Sequence, residues 1–230
     1  ILVVTPADQT VTNEAAYTAA LQKAVRAAAN GDIVILGITP DRPETGFGYI
    51  RTAQADANGV RAVAAFVEKP NLETAKSYVA DGGYFWNSGM FVMKASRWLA
   101  ALEHFRPDIA KATRDSFAVR STDATFVRPG KAEFATVPSE SVDYAVMERC
   151  PGTDLSLRMI PLDAGWNDLG AWEAVWQVAD KDAHGNASVG DALIADSENT
   201  LVHATSRLVG VVGLKDVVVV ETADAVLVSD

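Results

Sequence analysis

Three stretches of this 230-residue chain end in side chains suited to ionic chemistry. Thr5-Pro6-Ala7-Asp8 delivers a carboxylate just past the apolar run Ile1–Val4. Phe66-Val67-Glu68-Lys69-Pro70 sets an acid and a base side by side at the tip of another apolar run. Gly165-Trp166-Asn167-Asp168 supplies a second aspartate after Leu155–Leu162. An aspartate just beyond a strand is placed to hold a divalent metal, and oxygen ligands there suit magnesium, which also takes substrate phosphate and water. Its ordinary fates are a turn or a helix cap: either one for Asp8, and for Asp168 a cap on a helix starting near Leu169. Placed at strand ends on one edge of one sheet, the two favour the metal. Carboxylates about 4 Å apart repel by about 4 kcal/mol at an effective dielectric near 20, and a divalent ion between them removes that cost.

Glu68 and Lys69 carry a similar pair of readings. An exposed ion pair would contribute about 0–1 kcal/mol and nothing more. Alternatively Lys69 is a point charge for a phosphate and Glu68 accepts hydrogen bonds from sugar hydroxyls. Pro70 predicts an extended Lys69. In Tyr84-Phe85-Trp86-Asn87-Ser88-Gly89-Met90-Phe91, Asn87 is a polar residue in an apolar strand. Its amide needs partners, either neighbouring backbone or a sugar hydroxyl. Gly46 and Gly48 are hairpin glycines or an opening through which a sugar ring approaches the backbone. Asp143-Tyr144 lies on a helical turn, as solvated face or as pocket.

The elements that must position these groups alternate. Ile1–Val4 reads as a buried strand, residues 13–29 as a helix stopped by Asn30-Gly31, and Asp32–Ile38 as a strand. A helix over 71–81 closes at Gly82-Gly83, Tyr84–Met93 is a strand, Ser96 caps the next helix and Pro107 starts another. Ser141 caps a short helix through Glu148, Leu155–Leu162 is a strand, and 170–179 is a helix with Trp172, Val175, Trp176 and Ala179 inward. This pattern predicts an α/β fold: a Rossmann-like mixed sheet with helices on both faces, over residues 1–184. Ligands on such sheets sit beyond the carboxyl ends of strands. From 185 to 230 only short β segments remain, at Ala192–Ala195, Thr200–Ala204, Leu208–Val212, Val217–Val220 and Ala225–Val228. They predict an all-β extension, the start of a solenoid or β-helix.

Composition narrows the function classes. Hydrophobic residues make up 49% and charged residues 22%, with a formal net charge of −10. That balance excludes broad nucleic-acid binding, which needs clustered cations. No apolar run reaches the roughly 18 residues that span a bilayer, and no cationic-then-apolar leader opens the sequence, so cytoplasm is the expected compartment. The one cysteine, Cys150, cannot form an internal disulfide. His104, His184 and His203 have no metal-ligand spacing, and no Ser-His-Asp arrangement stands out.

Pro6-Ala7-Asp8, Thr45-Gly46-Phe47-Gly48-Tyr49-Ile50, Phe66–Pro70, Tyr84–Phe91, Glu140–Arg149 and Gly165–Trp172 occur in this order. The set resembles the bacterial mannose-1-phosphate guanylyltransferases, within the wider sugar-nucleotide pyrophosphorylases. The resemblance runs from Ile1 to about residue 180 and continues more weakly to the end. It implies a nucleotidyltransferase with Mg2+ as cofactor that makes GDP-mannose and pyrophosphate from GTP and mannose 1-phosphate. By the same carry-over Asp8 and Asp168 are its metal ligands, Lys69 contacts the sugar phosphate and Glu68 the sugar hydroxyls. Gly48 and Tyr49 form the turn under the sugar, Asn87 faces the mannose, and Asp143 lies near the pocket. Two departures stand out: Gln9 replaces the family's histidine, and the Gly-rich triphosphate loop and base-reading stretch are absent. The expectation is a piece of a longer product, weakly active or inactive by itself and homodimeric through exposed β rungs. The rival readings are a pyrophosphorylase for another nucleotide-hexose and a non-catalytic sugar-nucleotide binding module.

Overall fold

A computed structural model describes all 230 residues. In chain order the elements are β1 (Leu2–Val4), β2 (Thr10–Val11), α1 (Glu14–Ala29), β3 (Ile33–Ile38), β4 (Tyr49–Ala55), β5 (Arg61–Val67), α2 (Leu72–Asp81) and β6 (Tyr84–Met93). They continue with α3 (Ala95–Phe105), α4 (Pro107–Ala118), β7 (Ser121–Asp123), β8 (Phe126–Arg128), α5 (Lys131–Phe134), α6 (Val142–Ala145), β9 (Leu157–Pro161), β10 (Trp166–Asn167) and α7 (Trp172–Val178). Strands β11 (Ala187–Val189) through β16 complete the chain, with β12 at Ala192–Ala195, β13 at Leu201–Ala204, β14 at Val209–Val212, β15 at Val218–Glu221 and β16 at Val226–Ser229. Contacts divide it into two units, Ile1–Ala7 with Val11–Trp166 and Asp8–Thr10 with Asn167–Asp230.

The first unit is built on a mixed six-stranded sheet ordered β1-β6-β3-β9-β5-β4, in which β4 also pairs with β6. Its two faces follow from the alternation of side chains along β3. Ile33 and Ile35 enter one apolar cluster with Phe91, Leu102, Ile109 and Met159, under α3 and α4. Val34 and Leu36 enter the other with Ala20, Ala24, Ala27 and Ala28 of α1. Alanines every three or four residues let α1 lie close on the sheet. Each large aliphatic side chain buried here contributes about 1.5–3 kcal/mol. The α/β class with helices on both faces is therefore as the pattern predicts.

Local signals hold where a side chain enforces them. Asn13 Oδ1 accepts from Ala16 N at 3.0 Å to start α1, and Asn71 Oδ1 accepts from Thr74 N at 2.9 Å to start α2. Pro107 occupies the first position of α4. Ser96, by contrast, lies inside α3, whose cap position Lys94 makes no side-chain bond. The expectation of a buried β1 also fails: Ile1–Val4 are exposed, because β1 is an edge strand paired only with β6. Likewise α7 begins at Trp172 rather than near Leu169, and Trp172 is exposed with its ring 5.5 Å from His203. Only Ala174 of α7 is buried, so its aromatic stripe is not core.

The second unit contains stacked parallel strands. Ala192 pairs with Val209 and Leu201 with Val218, a spacing of 17 residues in both ladders. Val202, Val211 and Val219 fill the interior of this coil. β16 closes it antiparallel to β15. Elsewhere β2 and β10 form a two-stranded sheet. No helix is long and apolar enough to cross a membrane.

Candidate functional site

Register assembles the first group of candidate residues. Tyr49 pairs with Val67 on one side and Trp86 on the other. The residues next to these three, Gly48, Glu68 and Asn87, are thereby brought to one point. Since β5 runs antiparallel to both β4 and β9, this convergence does not follow from the rule about carboxyl ends of parallel strands. Asn87 N donates to Gly48 O at 2.8 Å and stitches the point together.

The sequence Asn87-Ser88-Gly89 is what turns the Asn87 side chain here. The ladder between β3 and β6 is interrupted between Ile35 and Gly37. Gly89 takes φ +72°, a left-handed conformation that glycine adopts without penalty. Ser88 Oγ donates to Leu36 O at 2.6 Å and accepts from Met90 N at 3.2 Å, which replaces the missing ladder bonds. Bulges of this kind re-aim a side chain beside a site. Asn87 Oδ1 accepts from Gly89 N at 2.9 Å, and Asn87 Nδ2 donates to Asp143 Oδ1 at 2.9 Å. Asn87 thus has a backbone partner, one of the two fates open to it, and also holds a carboxylate 56 residues away.

Asp143 stands in the first turn of α6, where Ser141 Oγ accepts from Tyr144 N at 3.4 Å. It is half-buried, so the solvated-face reading does not apply. Burial raises its pKa, opposed by the Asn87 bond and by the Lys69 charge. Glu68 is displaced further, from 4.5 to about 7. Burial is the main cause, the charges of Asp143 and Glu148 add to it, and Lys69 opposes it. Glu68 Oε2 is buried without a hydrogen-bond partner. A Cβ on Gly48 would run into that same oxygen and stand 3.3 Å from Asn87 Cβ. The glycine is what leaves room for the carboxylate. Glu148, which follows α6 in a short 3-10 turn, is a third acid acting on this group that sequence reasoning missed.

Lys69 corrects an expectation. Its φ is +48°, so Pro70 does not hold it extended. A non-glycine residue there is strained by about 1–3 kcal/mol, and the end of β5 and the Asn71 cap of α2 fix it from both sides. The Lys69 ammonium is exposed and forms no ion pair with Glu68, which removes the surface-pair reading. Tyr49 lies fully buried behind the group, packed with Trp86, Ala75 and Tyr78. Its hydroxyl pKa is raised by burial.

Asp8 and Asp168 are the remaining candidates. Asp8 falls in a bend shortly after β1, a strand of the six-stranded sheet, whereas Asp168 directly follows the short β10, outside that sheet, and both belong to the second unit. Neither is a helix cap, since α1 is capped by Asn13 and α7 has Ala171 in that position with no side-chain bond. Asp8 is exposed and Asp168 half-buried, and neither carboxylate has an ion pair or hydrogen bond within the protein. A Cβ on Gly170 would stand 2.6 Å from Asp168 Oδ2, so this glycine, too, keeps space beside an acid. No three His, Cys, Asp or Glu side chains are grouped to hold a metal alone. A carboxylate of either kind suits magnesium, which completes its shell with phosphate oxygens and water.

Comparison with known proteins sets this geometry in context. The family pattern described as nucleotidyl transferase matches residues 1–185, and one described as the MannoseP isomerase/GMP-like beta-helix domain matches 190–230. The chain is 45% identical over 234 residues to the mannose-1-phosphate guanylyltransferase of Escherichia coli (strain K12), with 100% of this chain and 48% of the relative covered. It is 47% identical over 228 residues to the xanthan biosynthesis protein XanB of Xanthomonas campestris pv. campestris (strain B100), covering 99% and 47%. The crystal structure described as mannose-1-phosphate geranyltransferase from Thermus thermophilus superposes with a TM-score of 0.86 at 31% identity, covering 99% of this chain and 64% of that one. The chain spans about half the length of the curated relatives it matches.

Proposed function

Because the chain belongs to the nucleotidyl transferase family, we propose that its parent protein transfers guanylate from GTP to mannose 1-phosphate. A phosphate oxygen of mannose 1-phosphate attacks the α-phosphorus of GTP in line, the bond to the β-phosphate breaks, and pyrophosphate leaves with GDP-mannose as the other product. Such chemistry is mostly positioning and charge neutralisation.

In this reading Glu68 and Asp143 accept hydrogen bonds from sugar hydroxyls, Asn87 keeps Asp143 aimed, and Gly48 leaves the space between. Tyr49 supports that turn from the core. Lys69 meets the attacking phosphate. Asp8 and Asp168 would hold Mg2+, which when bound neutralises phosphate charge. A phosphate monoester is already a nucleophile near neutral pH, so no general base is required. The observation that carries the reading is the buried, unpartnered Glu68 Oε2 beside Asp143 and under Lys69's field: an acceptor in want of a donor. The homodimer belongs to the same reading, with exposed β16 as a contact, and sedimentation of the chain checks it.

The test is Asp168→Asn in the full-length protein, assayed with GTP and a panel of hexose 1-phosphates. Turnover should vanish while thermal unfolding stays unchanged, because the carboxylate has no partner in the fold. Near-normal turnover removes the metal assignment, and preference for another hexose removes mannose.

A further inference from the structure

A cavity of about 790 Å³ lies in the first unit, away from every residue assigned above. Its lining comes from the last turns of α1, the β4–β5 hairpin and β9. It exposes three cations, Lys23, Arg26 and Arg158, and two acids, Asp32 and Asp56. The acids are already committed. Asp32 Oδ1 lies 3.5 Å from Arg158 Nε. Asp56 Oδ1 accepts from Asn58 N at 2.8 Å and Val60 N at 3.0 Å, folding the carboxylate into its own turn. Lys23 and Arg26 have no acidic partner in the fold. The α1 carboxyl end does not offset them fully, because Asn30 N donates to Ala27 O and Gly31 N to Ala28 O, each at 3.0 Å.

The lining carries three cations against two acids, a local excess of positive charge on a chain of net charge −10. Two free cations converging on one cavity match an anion with several oxygens, and the volume falls within the roughly 300–1,000 Å³ of small-molecule sites. We propose that this cavity is a second binding site, for a phosphorylated small molecule held by Lys23 and Arg26. It is separate from the sugar group and lies at the opposite end of β5. Val60 lines the cavity, and β5 runs from Arg61 directly to Glu68.

The test uses the chain with inorganic pyrophosphate as probe, without metal, by calorimetry and backbone-amide NMR. Saturable binding should shift the amides of Asn30, Asn58 and Gly59 and persist in Lys69→Ala, which separates it from the sugar-phosphate reading. Lys23→Ala with Arg26→Ala should weaken it about tenfold or more, and Lys23→Arg with Arg26→Lys should restore it. Undiminished affinity in the alanine pair, shifts confined to the neighbourhood of Lys69, or no saturable binding would each overturn the proposal.

Discussion

Glu68→Gln separates function from stability in this fold. The wild-type carboxyl is pushed from 4.5 to about 7. Each pKa unit corresponds to about 1.36 kcal/mol, so the full displacement is about 3 kcal/mol. Glu68 is only half-buried, and screening by solvent lowers this to about 1–2 kcal/mol. The sign follows from a folded pKa above the unfolded one. Between pH 4.5 and 7 the native state binds more protons than the unfolded state, so wild-type stability falls as pH rises. Below that window Glu68 is protonated in both states and costs nothing; above it the full penalty stands. A neutral glutamine lacks the charge at every pH. Urea unfolding of the two proteins should coincide near pH 4 and separate above pH 7, with Glu68→Gln the more stable by about 1–2 kcal/mol. The same variant should bind mannose 1-phosphate more weakly. A stability difference that is the same at both ends of the pH range, or a destabilised variant at pH 8, would refute the electrostatic account.

Gly48→Ala should cost about 1–3 kcal/mol of stability by overpacking against Glu68 and Asn87, read from chemical unfolding, and should weaken mannose 1-phosphate with it. Lys69→Ala should weaken mannose 1-phosphate much more than GTP in direct titrations, whereas Lys69→Gly should in addition raise stability by about 1 kcal/mol by relieving the positive φ. In the β coil, Glu221 is almost fully buried and accepts from the amides of Thr205 at 3.0 Å and Ser206 at 2.9 Å. The Ser206 hydroxyl and these amides hold its pKa at about 2 against an ordinary 4.5. Its contribution is therefore complete above pH 4.5 and lost as pH falls toward 2, so Glu221→Gln should lower the melting temperature at pH 7 and much less near pH 2.

The parts of the fold that could be read from sequence are those where one residue enforces one geometry. Asn30-Gly31 stops α1, Gly82 closes α2 in a left-handed conformation, Pro107 opens α4, and the Tyr84–Met93 boundaries follow from an apolar run between glycine and a helix start. Edge position is not encoded that way: Ile1–Val4 is as apolar as a central strand, and only the absence of a second neighbour exposes it. Lys69 defeated the proline rule because the strand before it and the capped helix after it together override a local preference. Asn87 is visible as a polar residue in an apolar strand, Glu68 as an acid at the tip of another and Asp143 on a helical turn, but the bond from Asn87 to Asp143 depends on a bulge at Ser88-Gly89 that periodicity does not reveal. Glu148 was missed because it sits on a short 3-10 turn, where no face could be assigned.

The regular stacking of strands 17 residues apart means that the C-terminal coil has no centre of mass to its apolar packing. Each turn is shielded only by the turn above and the turn below. Resistance to opening is accordingly a local property that tapers outward, from Val202 and Val219 inside to β16, whose four residues all face solvent. A strand paired along β16 would therefore protect β15 beside it first and the deeper turns only through it.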